Sequence, residues 1–180
     1  MRIMNKESNK RGFYQSAMYY GTILGCIWCS MYFLMFIGIG SLLMIMGCLA
    51  LFIGSPFFAA SFAKKYRRNE CFDRMKYLQA VAFIYCMYIC ASLLSALAMY
   101  IYLMFIDNGM FFATIQEILK ASMQLPGADN IYKQQTELAL QMIQETTTSE
   151  FVWQIFGNNI FNASILPFII AFFVRKNNNE

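Results

Sequence analysis

Six cysteines offer the most reactive chemistry in this chain, and two of them form a CxxC motif at Cys26-Ile27-Trp28-Cys29. Two thiols at this spacing can exchange with a disulfide, and they react through the thiolate. The motif lies in the middle of a long apolar run, however, and the polar segment 107–149 contains no cysteine that could relay electrons to it. Cysteine in apolar surroundings behaves as a small hydrophobic residue. We therefore expect no redox function.

Polar residues inside two other apolar runs are suited to holding an uncharged molecule. In Gly54-Ser55-Pro56 the proline lacks an N–H, which kinks a helix and frees a carbonyl about one turn upstream. Asn158 and Asn162 share a helix face, and because unpaired carboxamides are costly in hydrocarbon we expect both to turn inward. The predicted ligand-binding residues are Ser55, Pro56, Asn158 and Asn162, which would line a polar cleft between the second and fourth helices.

Several kinds of catalytic group are missing from the sequence. It has no histidine, which removes His-ligated haem, His-containing zinc sites and His-dependent triads. The apolar runs carry no charged residue, which disfavours ion-coupled transport. Asp107, Glu117 and Glu145 have the spacing of solvated acids on amphipathic helices. The sequence thus predicts no catalytic residue, no metal site and no cofactor in a protein that is not an enzyme.

Composition points to a membrane protein, since 59% of the 180 residues are hydrophobic and only 13% are charged. A helical span needs about 20 apolar residues, so the longest charge-free stretch holds two helices and two later stretches hold one each. The first apolar run far exceeds the roughly 7–15 residues of a signal peptide, and we expect it to be retained. The predicted spans cover about residues 13–36, 41–63, 77–106 and 150–174.

Basic residues predict the orientation of these spans. Of the 14 Lys and Arg, all but Lys120 and Lys133 fall at the two termini or in the loop 64–76. The positive-inside rule places such segments in the cytoplasm. We therefore expect a multi-pass membrane protein with its N-terminus and C-terminus in the cytoplasm.

Segment 107–149 is the only polar stretch longer than a turn or a tail. Apolar residues recur in it with helical spacing on both sides of Pro126-Gly127. Asp107-Asn108-Gly109 signals a turn before the first helix, and Asp129 or Asn130 can cap the second. The segment predicts an extracytoplasmic amphipathic helical hairpin that rests on the bilayer, the spans or a partner. Its predicted docking face consists of Phe111, Ile115, Ile118, Leu119, Ile131, Leu138 and Met142.

Small residues recur every four positions in the first span, at Ala17, Gly21 and Gly25. Such a stripe lets a second helix backbone approach closely. It predicts either packing inside the chain's own bundle or a seam between two copies, and the first alternative is the simpler.

The order of these features resembles the bacterial membrane proteins grouped as domain of unknown function family 4199. The phrase from Tyr102 to Gly109 that closes the third span is similar to the family's way of entering the outer insert, as is Gly157-Asn158 in the fourth span. The resemblance covers nearly the whole chain. It implies a bacterial inner-membrane location and carries no established activity.

The sequence as a whole therefore predicts one all-α domain over residues 1–180, an integral membrane four-helix bundle with an outer helical hairpin between helices 3 and 4. The leading functional hypothesis is a non-enzymatic accessory subunit that binds a membrane partner or itself through the hairpin and the small-residue faces. The alternative is binding or transport of a lipid or small neutral solute in the polar cleft. We expect the protein to lie in the lipid bilayer and to have no nucleic acid partner.

Overall fold

The structure is a computed structural model that describes residues 2–39, 41–71, 75–124 and 129–174, and it describes side chains from Gly12 onward. Six α-helices make up most of these residues. The helices are α1 (Arg2–Ile37), α2 (Leu42–Glu70), α3 (Tyr77–Ile101), α4 (Met110–Met123), α5 (Asn130–Glu145) and α6 (Thr148–Val174). Four segments are long and apolar enough to cross a membrane. They lie in α1, in α2, in α3 together with the turn that extends it, and in α6. The all-α membrane architecture predicted from the charge pattern is thereby confirmed at this level.

Helix α2 is longer than the span predicted for it, because it continues past residue 63 to Glu70. Lys, Arg and Glu are good helix formers, and cations near a helix C-terminus interact favourably with its dipole. Residues 64–70 of the predicted basic loop are therefore helical. Nη1 of Arg67 donates a hydrogen bond to the Val174 carbonyl, which ties the end of α2 to the end of α6.

The third span changes its winding near its end. After Ile101 the chain continues as a π-helical turn, Tyr102–Ile106, in which the Asp107 N–H bonds the Tyr102 carbonyl at 3.0 Å. The turn predicted at Asp107-Asn108-Gly109 follows, with Gly109 at φ 84° in the left-handed region that glycine adopts without strain. Oδ2 of Asp107 accepts a hydrogen bond from the Phe111 N–H at 2.8 Å and supports the start of α4.

Helix α3 lies at the centre of the bundle and packs most extensively against α1 and α6. At the end of the bundle that carries the basic residues of α2, Tyr66 stacks on Phe83 with ring centroids 4.1 Å apart. Phe13 and Tyr20 of α1 meet Phe83 edge to face at 5.8 and 6.3 Å. This aromatic cluster joins α1, α2 and α3 through one ring.

Helices α4 and α5 form on either side of the predicted break at Pro126-Gly127, which itself lies outside the described residues. The two helices contact each other, and Asp129 caps α5 as predicted, accepting a hydrogen bond from the Asn130 N–H at 2.9 Å. At the start of α6, Thr147 and Glu150 form a capping box, with the Thr147 N–H 2.9 Å from Oε2 of Glu150.

Candidate ligand-binding cavity

A cavity of about 350 Å³ lies among α1, α2, α3 and α6. Its floor is buried, with Trp28 and Tyr88 only 6% and 1% exposed. Its mouth is open, with Phe52 and Ile53 58% and 63% exposed. Because α2 packs only lightly on α6, the mouth opens sideways between these two helices, where lipid surrounds a spanning bundle. Cavities of about 300–1,000 Å³ with apolar walls and a few polar groups are typical of small-molecule sites.

Ser55 and Pro56 line this cavity, as the sequence placed them in a cleft of the second helix. The Trp28 indole N–H donates a hydrogen bond to Oγ of Ser55 across 2.7 Å and joins α1 to α2. The bond satisfies an indole donor that would otherwise be buried without a partner. Pro56 follows directly, and its missing N–H leaves a carbonyl one turn upstream without its helical donor.

Three neighbouring asparagines of α6 differ in their surroundings: Asn159 bonds a residue of the bundle, whereas Asn158 and Asn162 are exposed. Nδ2 of Asn159 lies 2.9 Å from the Tyr32 hydroxyl oxygen and links α6 to α1. Asn158 and Asn162 are exposed, and within the described part of the chain neither side chain makes a hydrogen bond. Asn162 borders the cavity, whereas Asn158 lines an adjoining groove of α1, α2 and α6. Both residues therefore border the space between α2 and α6, as predicted for the cleft, but the expected inward hydrogen-bond partners are not seen among the described residues.

Tyr88 of α3 places a polar group at the cavity floor. Its hydroxyl is buried and lies near Ser55, but it is outside hydrogen-bonding geometry and has no partner among the described residues. The Tyr88 ring meets the Trp28 ring edge to face, with centroids 5.5 Å apart. The floor therefore combines two aromatic side chains with the Ser55 hydroxyl, while the Tyr88 hydroxyl is enclosed by the protein.

Sequence reasoning did not select Trp28, Tyr32, Tyr88 or Asn159 as site residues. Trp28 drew notice only as part of the CxxC motif, and Asn159 lies between the two asparagines that were selected, Asn158 and Asn162. Tyr32 and Asn159 are separated by 127 positions, so no local spacing marks the pair. A tyrosine in the middle of a span is the one signal that would have pointed to Tyr32 and Tyr88.

A comparison with protein-family models matches residues 19–176 to the family described as "Protein of unknown function (DUF4199)". The chain belongs to this family. The match contains every residue that lines the cavity. No match was found among curated proteins or among solved structures.

The small-residue stripe of this DUF4199 protein lies against α3 of the same chain. Ala17 is 1% exposed, and Gly21 and Gly25 are buried. A methyl group added to Gly21 would stand 2.8 Å from the Met87 carbonyl oxygen. The two backbones therefore approach so closely that only glycine fits, and this face is occupied by intramolecular packing.

The predicted docking face is split between the two amphipathic helices. Phe111 is 4% exposed, and its ring lies 4.8 Å from that of Phe36 in α1, which anchors α4 to the bundle. Ile115 and Leu119 are half-buried. The other four side chains of the predicted face are exposed: Ile118 (45%), Ile131 (66%), Leu138 (55%) and Met142 (69%).

The two CxxC cysteines of this DUF4199 chain differ in exposure. Cys26 is exposed at the surface of a spanning helix, and Cys29 is half-buried, both as free thiols. Outside the spans, burial raises the pKa of the Cys71 thiol above its ordinary value. A raised thiol pKa leaves less of the reactive thiolate at neutral pH.

Proposed function

We propose that this DUF4199 protein binds an uncharged, lipid-soluble molecule in the cavity between its spanning helices, and that it does so without catalysing a reaction. The observation that carries the proposal is the cavity itself, with a buried aromatic floor at Trp28 and Tyr88 and an exposed mouth at Phe52 and Ile53. A molecule dissolved in the membrane can enter through this mouth without crossing water.

Two properties of the lining favour a neutral ligand over an ion. No charged side chain occurs among the described residues that line the cavity. A charged group carried into hydrocarbon needs an opposite charge or many hydrogen bonds, and hydroxyls and two carboxamides, one of them already bonded to Tyr32, provide neither. Apolar walls with Ser55 and Asn162 as polar points suit a hydrocarbon chain bearing one small polar group.

Trp28 provides a direct reporter of occupancy. The chain has two tryptophans, and the second, Trp153, is 72% exposed on α6. In Trp153→Phe the fluorescence comes from Trp28 alone. We expect bromodecane, a neutral quencher, to reduce that fluorescence saturably in detergent micelles, because its bromine enters the cavity beside the indole. Ionised bromodecanoate should give no saturable quenching.

Matched variants separate cavity binding from probe dissolved in the micelle. Trp28→Phe retains only the exposed Trp153 and should be quenched in simple proportion to the probe. Asn162→Phe, which narrows the cavity mouth, should abolish saturation, whereas Ser164→Phe on the opposite face of α6 should preserve it. Proportional quenching of Trp28 in every variant would contradict the proposal.

A second candidate function is contact with a membrane partner, or with another copy, through α5. Ile131, Leu138 and Met142 form one exposed apolar face of this helix. The distribution of basic residues supports placing α4 and α5 outside the cytoplasm with both termini inside, and the family resemblance supports a bacterial inner membrane. The only lysines of α4 and α5, Lys120 and Lys133, are exposed.

A membrane-impermeant amine crosslinker tests this placement and the contact together. On intact cells from which the outer barrier has been removed, we expect Lys120 and Lys133 to react, and Lys64 and Lys65 only after permeabilisation. Crosslinks from Lys133 to a second chain should disappear in Leu138→Glu and persist in Gln144→Glu, which lies toward the opposite side of α5. Labelling of Lys64 first would reverse the orientation, and crosslinks indifferent to Leu138→Glu would remove the α5 face from the contact.

A further inference from the structure

One face of α2 carries exposed side chains from the middle of the span to the end of the helix. We call this face the outer stripe of α2. Its members recur at the spacing of a single helix face, and all of them are exposed: Ala50, Ile53, Phe57, Ser61, Lys64 and Arg68. Phe57, near the centre of the stripe, is 71% exposed. The two cations therefore lie on the side of α2 that faces lipid, not the side that faces the bundle.

The positive charge of the outer stripe is not neutralised by any other described residue. Lys64 and Arg68 make no ion pair or hydrogen bond within the described part of the chain. Glu70 is the only acidic residue of α2. It follows one turn after Tyr66, which is 2% exposed, so it lies on the opposite side of the helix from the stripe. The positive-inside rule requires basic residues at this end of a span but does not choose a helix face for them.

Lys64 and Arg68 also lie at the depth of lipid headgroups. About 20 helical residues cross the hydrocarbon core, so a span that begins at Leu42 leaves the core near Phe62. At 1.5 Å per residue, Lys64 lies about 3 Å and Arg68 about 9 Å beyond that edge. The headgroup layer is about 5–8 Å thick on each side, and the long side chain of an arginine can reach back into it.

We propose that the outer stripe of α2 binds an anionic phospholipid, with its phosphate held between Lys64 and Arg68 and its acyl chains lying along Phe57 and Ile53. Residues four positions apart on a helix have Cβ atoms about 5–6 Å apart, so both cations can reach one phosphate. Arginine binds phosphate through two parallel N–H groups, and lysine adds a point charge. The apolar part of the stripe favours a lipid over a soluble phosphate. This site goes beyond the proposed function, because it requires no ligand in the cavity.

The test compares two lipids that differ in headgroup charge. Phosphatidylglycerol and phosphatidylcholine with the same acyl chains are titrated into the full chain in detergent, and native mass spectrometry measures the affinity of each lipid. We expect phosphatidylglycerol to bind more tightly. Lys64→Gln combined with Arg68→Gln should weaken it by about 30-fold, the effect of two cations near an anionic lipid, and should leave phosphatidylcholine unchanged, which also checks that the variant is folded.

A charge-matched variant separates the stripe from the net charge of this end of the bundle. Lys65→Gln combined with Lys76→Gln removes the same two charges, but Lys65 lies about 100° around α2 from Lys64 and Lys76 precedes α3. This variant should bind phosphatidylglycerol nearly as the wild type does. An equal loss in both double variants would overturn the site on the stripe, as would equal affinities of the wild type for the two lipids. Displacement of phosphatidylglycerol by excess glycerol phosphate would assign Lys64 and Arg68 to a soluble anion instead.

Discussion

Gly21→Ala is expected to lower the free energy of unfolding by about 2 kcal/mol, the usual cost of forcing a methyl group into a packed interior. The new Cβ would lie 2.7 Å from Cβ of Cys90 and 2.8 Å from the Met87 carbonyl oxygen. Neither atom is the flexible end of a side chain, so α1 and α3 must separate to make room. Reversible unfolding in mixed micelles of mild detergent and sodium dodecyl sulfate measures the change.

Other glycines of the chain provide a graded control for Gly21. At Gly25 the nearest atom to a new Cβ is Cδ2 of Leu94, at 2.9 Å, and a rotating leucine tip can yield, so Gly25→Ala should cost less. At Gly157 a new Cβ would meet nothing within 4 Å, so alanine should be neutral or slightly stabilising through its helix propensity. Equal stabilities for all three variants would mean that α1 and α3 do not pack at the described distance.

Charge patterning revealed the four spans because ionised side chains are expensive in hydrocarbon and rarely occur there. The same signal does not mark where a helix ends in water. Helix α2 continues to Glu70 because nothing in its basic residues breaks a helix, and a change from membrane to solvent requires no change of backbone. The π-helical turn Tyr102–Ile106 likewise has no distinct residue pattern to announce it.

The candidate site was predictable only where a polar residue stands out against an apolar run. Ser55 and Asn162 do so, and both line the cavity. Trp28 and Tyr88 contribute one polar atom each on large apolar rings, so their hydrogen-bonding role is hidden in the composition of the span. Asn158 lines the adjoining groove of α1, α2 and α6, and the division of this space into two depressions is a property of the assembled bundle that the sequence does not mark.

The second large effect on stability is expected at Phe83, the central ring of the aromatic cluster. Phe83→Ala should lower the free energy of unfolding by about 3 kcal/mol, near the lower end of the range for deleting a buried phenylalanine in soluble proteins. The Phe83 ring is 0% exposed and touches helices α1 and α2 through Phe13 and Tyr66, with centroids 5.8 and 4.1 Å away. Unfolding in mixed micelles again gives the value.

The expected loss of stability depends on whether lipid or detergent can replace the contacts of the deleted ring. Lipid tails are as apolar as a protein core, so removing a ring loses little transfer energy and costs mainly the contacts of the emptied volume. Phe168 is 52% exposed on α6, and lipid or detergent fills the space that Phe168→Ala leaves, so this variant should match the wild type within about 0.5 kcal/mol. If Phe83→Ala were equally mild, detergent would have to reach the junction of α1, α2 and α3, and the packing of these helices around one ring would be disproved. A large loss at Phe83 alone would establish van der Waals packing, not burial from water, as the force that holds these spans together.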